Sequence, residues 1–221
     1  MKVGTQIFNA IFHKIHNEGY KFVAISVLVT FILLLISKFL GFIGLLITIW
    51  VYYFFRDPDR VSIDDQDYLV SPADGLITQI IETNGPKEFS LENKKFTRVS
   101  IFMSIFNCHV NRSPVLALIE DIFYVPGKFL NATLDKASED NERNLIKFKT
   151  NSGDEIIVVQ IAGLIARRIV CDSNKSQEIR QGERIGMIRF GSRVDIYFNN
   201  YKILVKQNQT TIAGETLIAR K

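Results

Sequence analysis

The sequence is poor in the patterns that announce a metal centre or a nucleotide site. Its 221 residues include two cysteines, Cys108 and Cys171, and three histidines, His13, His16 and His109. The cysteines lie far apart with no CxxC pair, which excludes zinc-ribbon and thioredoxin-like chemistry and leaves two buried, reduced thiols as the expectation. There is no HExxH, no GxSxG elbow and no glycine-rich phosphate loop. Metalloprotease, hydrolase-elbow and nucleotide-binding chemistries are set aside on that ground. No dense Lys/Arg cluster interleaved with aromatics occurs, and the formal net charge is only +4. A nucleic-acid partner is therefore not expected; a mild positive balance suits an anionic lipid surface better. What the chain has in excess is apolar residues, 47% of the total, which is high for a soluble protein and ordinary for one with a membrane segment.

Much of that excess sits in one run, residues 22–55, whose only charge is Lys38. A spanning helix needs about 20 apolar residues. This run is too long for one upright helix and short for two, and it divides naturally at Ser37-Lys38, with Gly41 close by. Two readings follow: a tight helical hairpin dipping into a bilayer, or one tilted span with Lys38 snorkelling. Lys14 and Lys21 precede the run and Arg56 and Arg60 follow it, so the charge rule places both ends on the cytoplasmic side. Trp50, Tyr52 and Tyr53 stand where an aromatic belt would lie. Residues 1–21 place Ile7, Ile11, Phe12 and Ile15 at helical spacing, as an interfacial helix would.

Composition turns from apolar to charged at Arg56-Asp57-Pro58-Asp59-Arg60. Beyond it, short β-like runs recur between turn residues: Leu76–Ile81, Val99–Ser104, Leu116–Tyr124, Leu145–Thr150, Ile156–Ile161, Ile185–Phe190, Val194–Phe198 and Lys202–Val205. Val194, Ile196 and Phe198 alternate with Arg193, Asp195 and Tyr197, the pattern of a half-buried strand. Gly163–Val170 reads as a short helix and residues 126–144 as a surface loop or hairpin. The expected class is α+β, mainly β, with an apolar helical segment ahead of a mostly antiparallel β domain.

Three stretches put a Ser, Asp or His in a turn or at a strand end, where function tends to sit. They are Val70-Ser71-Pro72-Ala73-Asp74-Gly75, the run Phe102-Met103-Ser104-Ile105-Phe106-Asn107-Cys108-His109-Val110-Asn111-Arg112-Ser113-Pro114, and Ile188-Arg189-Phe190-Gly191-Ser192-Arg193-Val194-Asp195. Singly, each has a plain reading: a hairpin turn at Asp74-Gly75, a turn before proline at Asn111–Pro114, a bulge or bend at Gly191-Ser192. Together they resemble the phosphatidylserine decarboxylase family in its short bacterial and archaeal form. The resemblance runs from about residue 48 to the C-terminus. Phe55-Arg56-Asp57-Pro58, Val159-Gln160-Ile161-Ala162-Gly163 and Ala166-Arg167-Arg168 add to it.

Decarboxylating an amino-acid head group leaves a carbanion that needs an electron sink. The sequence offers no phosphate cradle for pyridoxal phosphate. The resemblance implies instead a pyruvoyl group made from Ser192, whose ketone forms a Schiff base with the substrate amine. By the same resemblance, Ser192 Oγ attacks the Gly191 carbonyl, the amide becomes an ester, elimination releases the chain ending at Gly191, and the new N-terminus loses ammonia. Glycine at 191 removes the Cβ that would crowd the attack. Asp74 and His109 match the family's acid–base positions, and a His–Asp pair polarising a serine is a known nucleophile logic. Longer family members carry a second His three residues after the first, where this chain has Arg112. His109 then serves twice, or Asp74 acts more directly. Asn111, Arg112 and Arg193 are candidate substrate contacts, and no metal is expected.

The apolar pattern gives two of three expected segments, an amphipathic 1–21 and a membrane anchor at 22–55 as a helical hairpin or single tilted helix, and with the charge rule a place on the cytoplasmic side of the cell membrane, peripheral or monotopic. The resemblance implies the third, a catalytic domain at 56–221 cut between 191 and 192, together with a phospholipid substrate and the two cleavage chains remaining together as a heterodimer. Another serine-containing lipid as substrate, or a non-enzymatic membrane-tethered binding module, are the competing readings.

Overall fold

The computed structural model describes residues 13–130, 140–164, 168–189 and 192–221. The chain divides into two units, 1–59 and 60–221.

In the first unit the apolar run forms two helices, α1 (Gly19–Ile36) and α2 (Lys38–Phe54). Ser37 breaks them. Its backbone is extended, its N–H donates to the Leu33 carbonyl, and its hydroxyl caps α2 by accepting from the Phe39 N–H. The helices run antiparallel: Thr30 Oγ1 meets Thr48 Oγ1 at 2.9 Å, and Phe22 stacks on Phe55. Gly41 is required by this approach, because a Cβ there would run into Leu34. The outer faces stay apolar, with Leu35, Ile36 and Phe39 all exposed. By length and composition α1 is long and apolar enough to cross a membrane. Residues 13–18 are not helical. Ile15 bridges Arg56, and the His16 N–H donates to the Phe55 carbonyl. The remaining residues of the amphipathic segment, 1–12, lie outside those described.

The second unit is built on one antiparallel sheet of eight strands. Its members are β2 (Gly75–Asn84), β3 (Lys95–Met103), β5 (Ala117–Val125), β6 (Arg143–Lys149), β7 (Glu155–Ala162), β9 (Glu178–Ile179), β11 (Ser192–Phe198) and β13 (Thr210–Thr211). Their order is β13-β2-β3-β11-β7-β6-β5-β9. Two three-stranded sheets complete the unit. One is β1 (Tyr68–Val70), β14 (Leu217–Arg220) and β12 (Lys202–Ile203). The other is β4 (Val110–Arg112), β10 (Arg184–Ile188) and β8 (Ile169–Cys171). The α+β, mainly β expectation holds. The expected helix at Gly163–Val170 does not: Ile169 and Val170 pair with β10, Leu164 is a bend, and 165–167 lie outside the described residues.

One face of the large sheet carries the main core, which includes Ile77, Val99, Ile101, Met103, Val158, Ala162, Val194, Ile196 and Phe198. The opposite face carries a smaller cluster around Phe96, Leu145, Val159, Ile161 and Tyr197. Strand β11 lies between β3 and β7 near the middle, and all seven of its residues are buried. The half-buried pattern read from its alternation is thus overturned. Arg193 and Asp195 neutralise one another through a bidentate pair, 2.7 Å at each bond, and a paired charge can be buried where a lone one cannot. Cys108 is buried and Cys171 half-buried, both as free thiols.

Candidate active site

Ser192 opens β11. Its register partners are Met103 on β3 and Ala162 on β7, so these three side chains share the core face in one row. Ser192 is fully buried. Its Oγ donates to Met103 Sδ at 3.5 Å, and the same sulfur receives Asn111 Nδ2 at 3.6 Å. The Asn111 Oδ1 in turn accepts from Gln160 Nε2 at 2.9 Å, and Gln160 Oε1 accepts from Asn144 Nδ2 at 2.9 Å. Three buried amides therefore run in series into the sulfur that holds the serine hydroxyl. Each makes sense locally, because a buried amide must find partners or lose about 1–3 kcal/mol. Their shared effect is to fix the surroundings of the Ser192 hydroxyl.

The stretch after β3 carries His109. A turn closes first: the Asn107 N–H donates to the Ser104 carbonyl, and Asn107 Oδ1 accepts from both the N–H and hydroxyl of Ser104, each at 2.8 Å. His109 is fully buried, and its Nδ1 lies 3.0 Å from the Asn107 carbonyl. A carbonyl can only accept, so Nδ1 carries the hydrogen and Nε2 keeps the basic lone pair in the neutral ring. The His109 carbonyl accepts from the Ile188 N–H. Ile188 ends β10, four positions before Ser192. His109 is thereby tied to the segment that leads into the Gly191-Ser192 bond. Gly191 itself lies outside the described residues.

Asp74 reaches the same sheet edge from the other side of β3. It immediately precedes Gly75, the first residue of β2, and Leu76 pairs with Phe102, next to Met103. Glycine is needed at 75 because a Cβ there would strike the Phe102 carbonyl. The Asp74 carboxylate is almost fully buried and well supplied with donors: Arg60 Nη2 at 2.9 Å on Oδ2, and the Ala213 N–H at 2.7 Å on Oδ1.

Topology thus gathers Asp74, the His109 turn, Asn111 and Ser192 at the end of three adjacent strands and the hairpin capping them. The other two candidates are placed elsewhere. Arg193 points to the opposite face of β11 and is engaged by Asp195. Arg112 is buried and donates through Nη1 to the Gly182 carbonyl at 2.8 Å, where the turns of Gly182 and Gly214 meet. Among the described residues no three His, Cys, Asp or Glu side chains gather to hold a metal ion.

Sequence reasoning missed Met103, Gln160, Asn144 and Arg60 as parts of the site. A lone Gln inside Val-Val-Gln-Ile-Ala was a signal, since a polar residue in an apolar strand needs a buried partner. Arg60 had been read only as flanking charge. Met103→Leu keeps volume and apolarity, a change that cores accept for under about 1.5 kcal/mol, yet deletes the sulfur acceptor. A time course on denaturing gels is expected to show self-cleavage slowed about tenfold, with the melting temperature lowered by only the few degrees that losing the Asn111 Nδ2 bond to the sulfur costs. A wild-type rate would mean that the sulfur does not position the hydroxyl.

A sequence model of the phosphatidylserine decarboxylase family matches residues 47–219. A relative from Pelagibacter ubique, named phosphatidylserine decarboxylase proenzyme, is 65% identical over 96% of this chain and 98% of its own. Relatives of the same name from Ruegeria pomeroyi and Rickettsia typhi are 52% and 51% identical; they cover 92% and 96% of this chain, and 94% and 92% of their own lengths. The matched span contains Asp74, His109, Asn111 and the Met103–Ser192–Ala162 row, and with near full-length identity on top of it, the chain belongs to the phosphatidylserine decarboxylase family.

Proposed function

We propose that the chain is a self-processing proenzyme that decarboxylates phosphatidylserine to phosphatidylethanolamine, with Ser192 as the source of a pyruvoyl group. The observation that carries the reading is the placement of Ser192: a buried hydroxyl at the start of a central strand, held by Met103 and joined through backbone and amide contacts to the His109 turn. The surroundings suit the group it would become. The two residues across from it offer a methyl and a thioether, and neither carries an amine that would capture a ketone. Once formed, a pyruvoyl group supplies the carbonyl that binds the substrate amine and draws off the electrons left by CO2.

The chain's own residues do the rest. A base takes the Ser192 hydroxyl proton, and Oγ attacks the Gly191 carbonyl carbon. The C–N bond breaks, leaving an ester at Oγ and an amine on Ser192. Loss of the Ser192 Cα proton expels the Gly191 carboxylate, and water then releases ammonia. His109 Nε2 is suited to carry protons in these steps, because Asn107 fixes the other ring nitrogen as a donor. Asp74 contributes fixed negative charge at the same sheet edge. Asn111 is the one of the three substrate-contact candidates near Ser192. Arg112 and Arg193 serve the scaffold in this arrangement.

The partition follows the same reading: residues 22–55 anchor the protein in the membrane as a hairpin with both ends cytoplasmic, and 56–221 form the catalytic domain. Both cleavage chains stay together, because the small one contributes β11 between β3 and β7. Intact mass spectrometry of active protein tests the whole scheme. Cleavage after residue 191 of 221 leaves 221 − 191 = 30 residues. That fragment is expected to start with pyruvoyl, to resist Edman sequencing and to separate only on denaturation. One uncut chain with an ordinary serine in active enzyme would end the proposal.

A further inference from the structure

The row Met103–Ser192–Ala162 is the last register position shared by β3, β11 and β7 at one edge of the sheet. Both flanking strands end at it, and the chain continues past it on either side. Beyond Met103 the chain enters the turn that carries Phe106, whose side is 62% exposed. Beyond Ala162 it reaches Leu164, 68% exposed. Two large apolar side chains therefore stand on either side of the strand that begins with Ser192. Phe106 cannot fold away, since Ser104 and Asn107 bond one another across its turn.

Acidic residues lie near this edge, Asp74 before β2 and Glu142, whose carbonyl accepts from the Ala162 N–H, but the segments that turn at it are basic. Residues 103–110, 161–171 and 185–194 contain no Asp or Glu, and the described ones include Arg168 and Arg189, besides Arg193, which Asp195 neutralises on the other face. Arg168 is exposed, and its carbonyl accepts from the half-buried Arg189 N–H at 3.1 Å, three positions before Ser192. Apolar tips with a cationic rim match a lipid interface, with acyl chains below and phosphates at the level of the arginines.

We propose that this edge is the membrane-docking surface of the β unit, with Phe106 and Leu164 entering the apolar layer on either side of Ser192. A protein partner covering both tips would close the edge from which Ser192 is approached. A bilayer covering them delivers a lipid head group to it. The inference rests on the proposed substrate being a phospholipid.

The test uses the full chain and two substrates: phosphatidylserine in vesicles, and dihexanoyl phosphatidylserine as dissolved monomers. In the Phe106→Ser, Leu164→Ser double variant the ratio of vesicle to monomer turnover is expected to fall at least tenfold. An unchanged ratio overturns the docking surface. Turnover of neither substrate by processed wild-type protein would instead overturn the proposed function. A second measurement does not depend on activity. Trp50 is the sole tryptophan, so Trp50→Phe with Phe106→Trp places one fluorophore at the tip. With vesicles, brominated acyl chains are expected to quench it and iodide to reach it less. Iodide access that vesicles leave unchanged would point to a soluble partner and sink the lipid assignment.

Discussion

Ser192→Ala is expected to yield one uncut chain without decarboxylase activity, a loss limited only by the assay background. The substitution deletes one oxygen from a buried site whose neighbour across β11 is already alanine, so the fold has little to lose. Among the described residues the hydroxyl's partner is a thioether, a weak acceptor, which loses little when the hydroxyl goes. Stability is therefore expected to change by no more than about 1 kcal/mol, while both self-cleavage and the electron sink disappear. That separation is what makes the variant informative. Ser192→Cys keeps a nucleophile and is expected to cut slowly without gaining normal activity. Denaturing gels and melting curves on the same preparations read both quantities. Activity in a Ser192→Ala protein would remove the pyruvoyl scheme altogether.

Asp74→Asn is expected to stop maturation, slowing it by a hundredfold or more, which corresponds to about 2.7 kcal/mol in the barrier. The substitution holds the size of the side chain and removes its charge. It also leaves Arg60 facing a neutral amide, with its ion pairing reduced to Glu215 at 4.0 Å, and removing the nearer member of a mostly buried pair is costly in itself. A second variant separates the two effects. Arg60→Met alone removes the cation and leaves the Ala213 N–H bond to Asp74 in place. Combined with Asp74→Asn, it removes the stranded charge. If the double variant regains stability yet stays uncut, Asp74 acts in processing. If it matures at the normal rate, Asp74 had served only to hold Arg60 and the start of β2.

The apolar helices were legible because their signals are local. An unbroken apolar run needs an apolar surrounding, and Ser37-Lys38 is where a polar pair would interrupt it; the helices do end and begin there. The main strands were legible for the same reason, since short apolar runs between turn residues mark a strand without reference to a partner, although the alternation in β11 hid that both of its faces are buried. Their ends were less so: β2 and β3 run several residues beyond the apolar core of each pattern, because ladder hydrogen bonds extend pairing into polar positions. The Gly163–Val170 segment was misread where a short apolar run fits either period, and the pairing of Ile169 and Val170 with β10 decided it.

The sequence by itself determined the apolar helices ahead of the β unit, most of its longer strands, and the presence of one imidazole in that unit. It could not determine which face Arg193 would take relative to Ser192, since adjacent residues on a strand part company only once the sheet exists. Nor could it join Asn144, Gln160, Asn111 and Met103 to a serine up to 89 positions away. Those contacts depend on register across β3, β11, β7 and β6, and register is set by the closing of the whole sheet over its core, where a slip of one residue would turn every side chain to the other face.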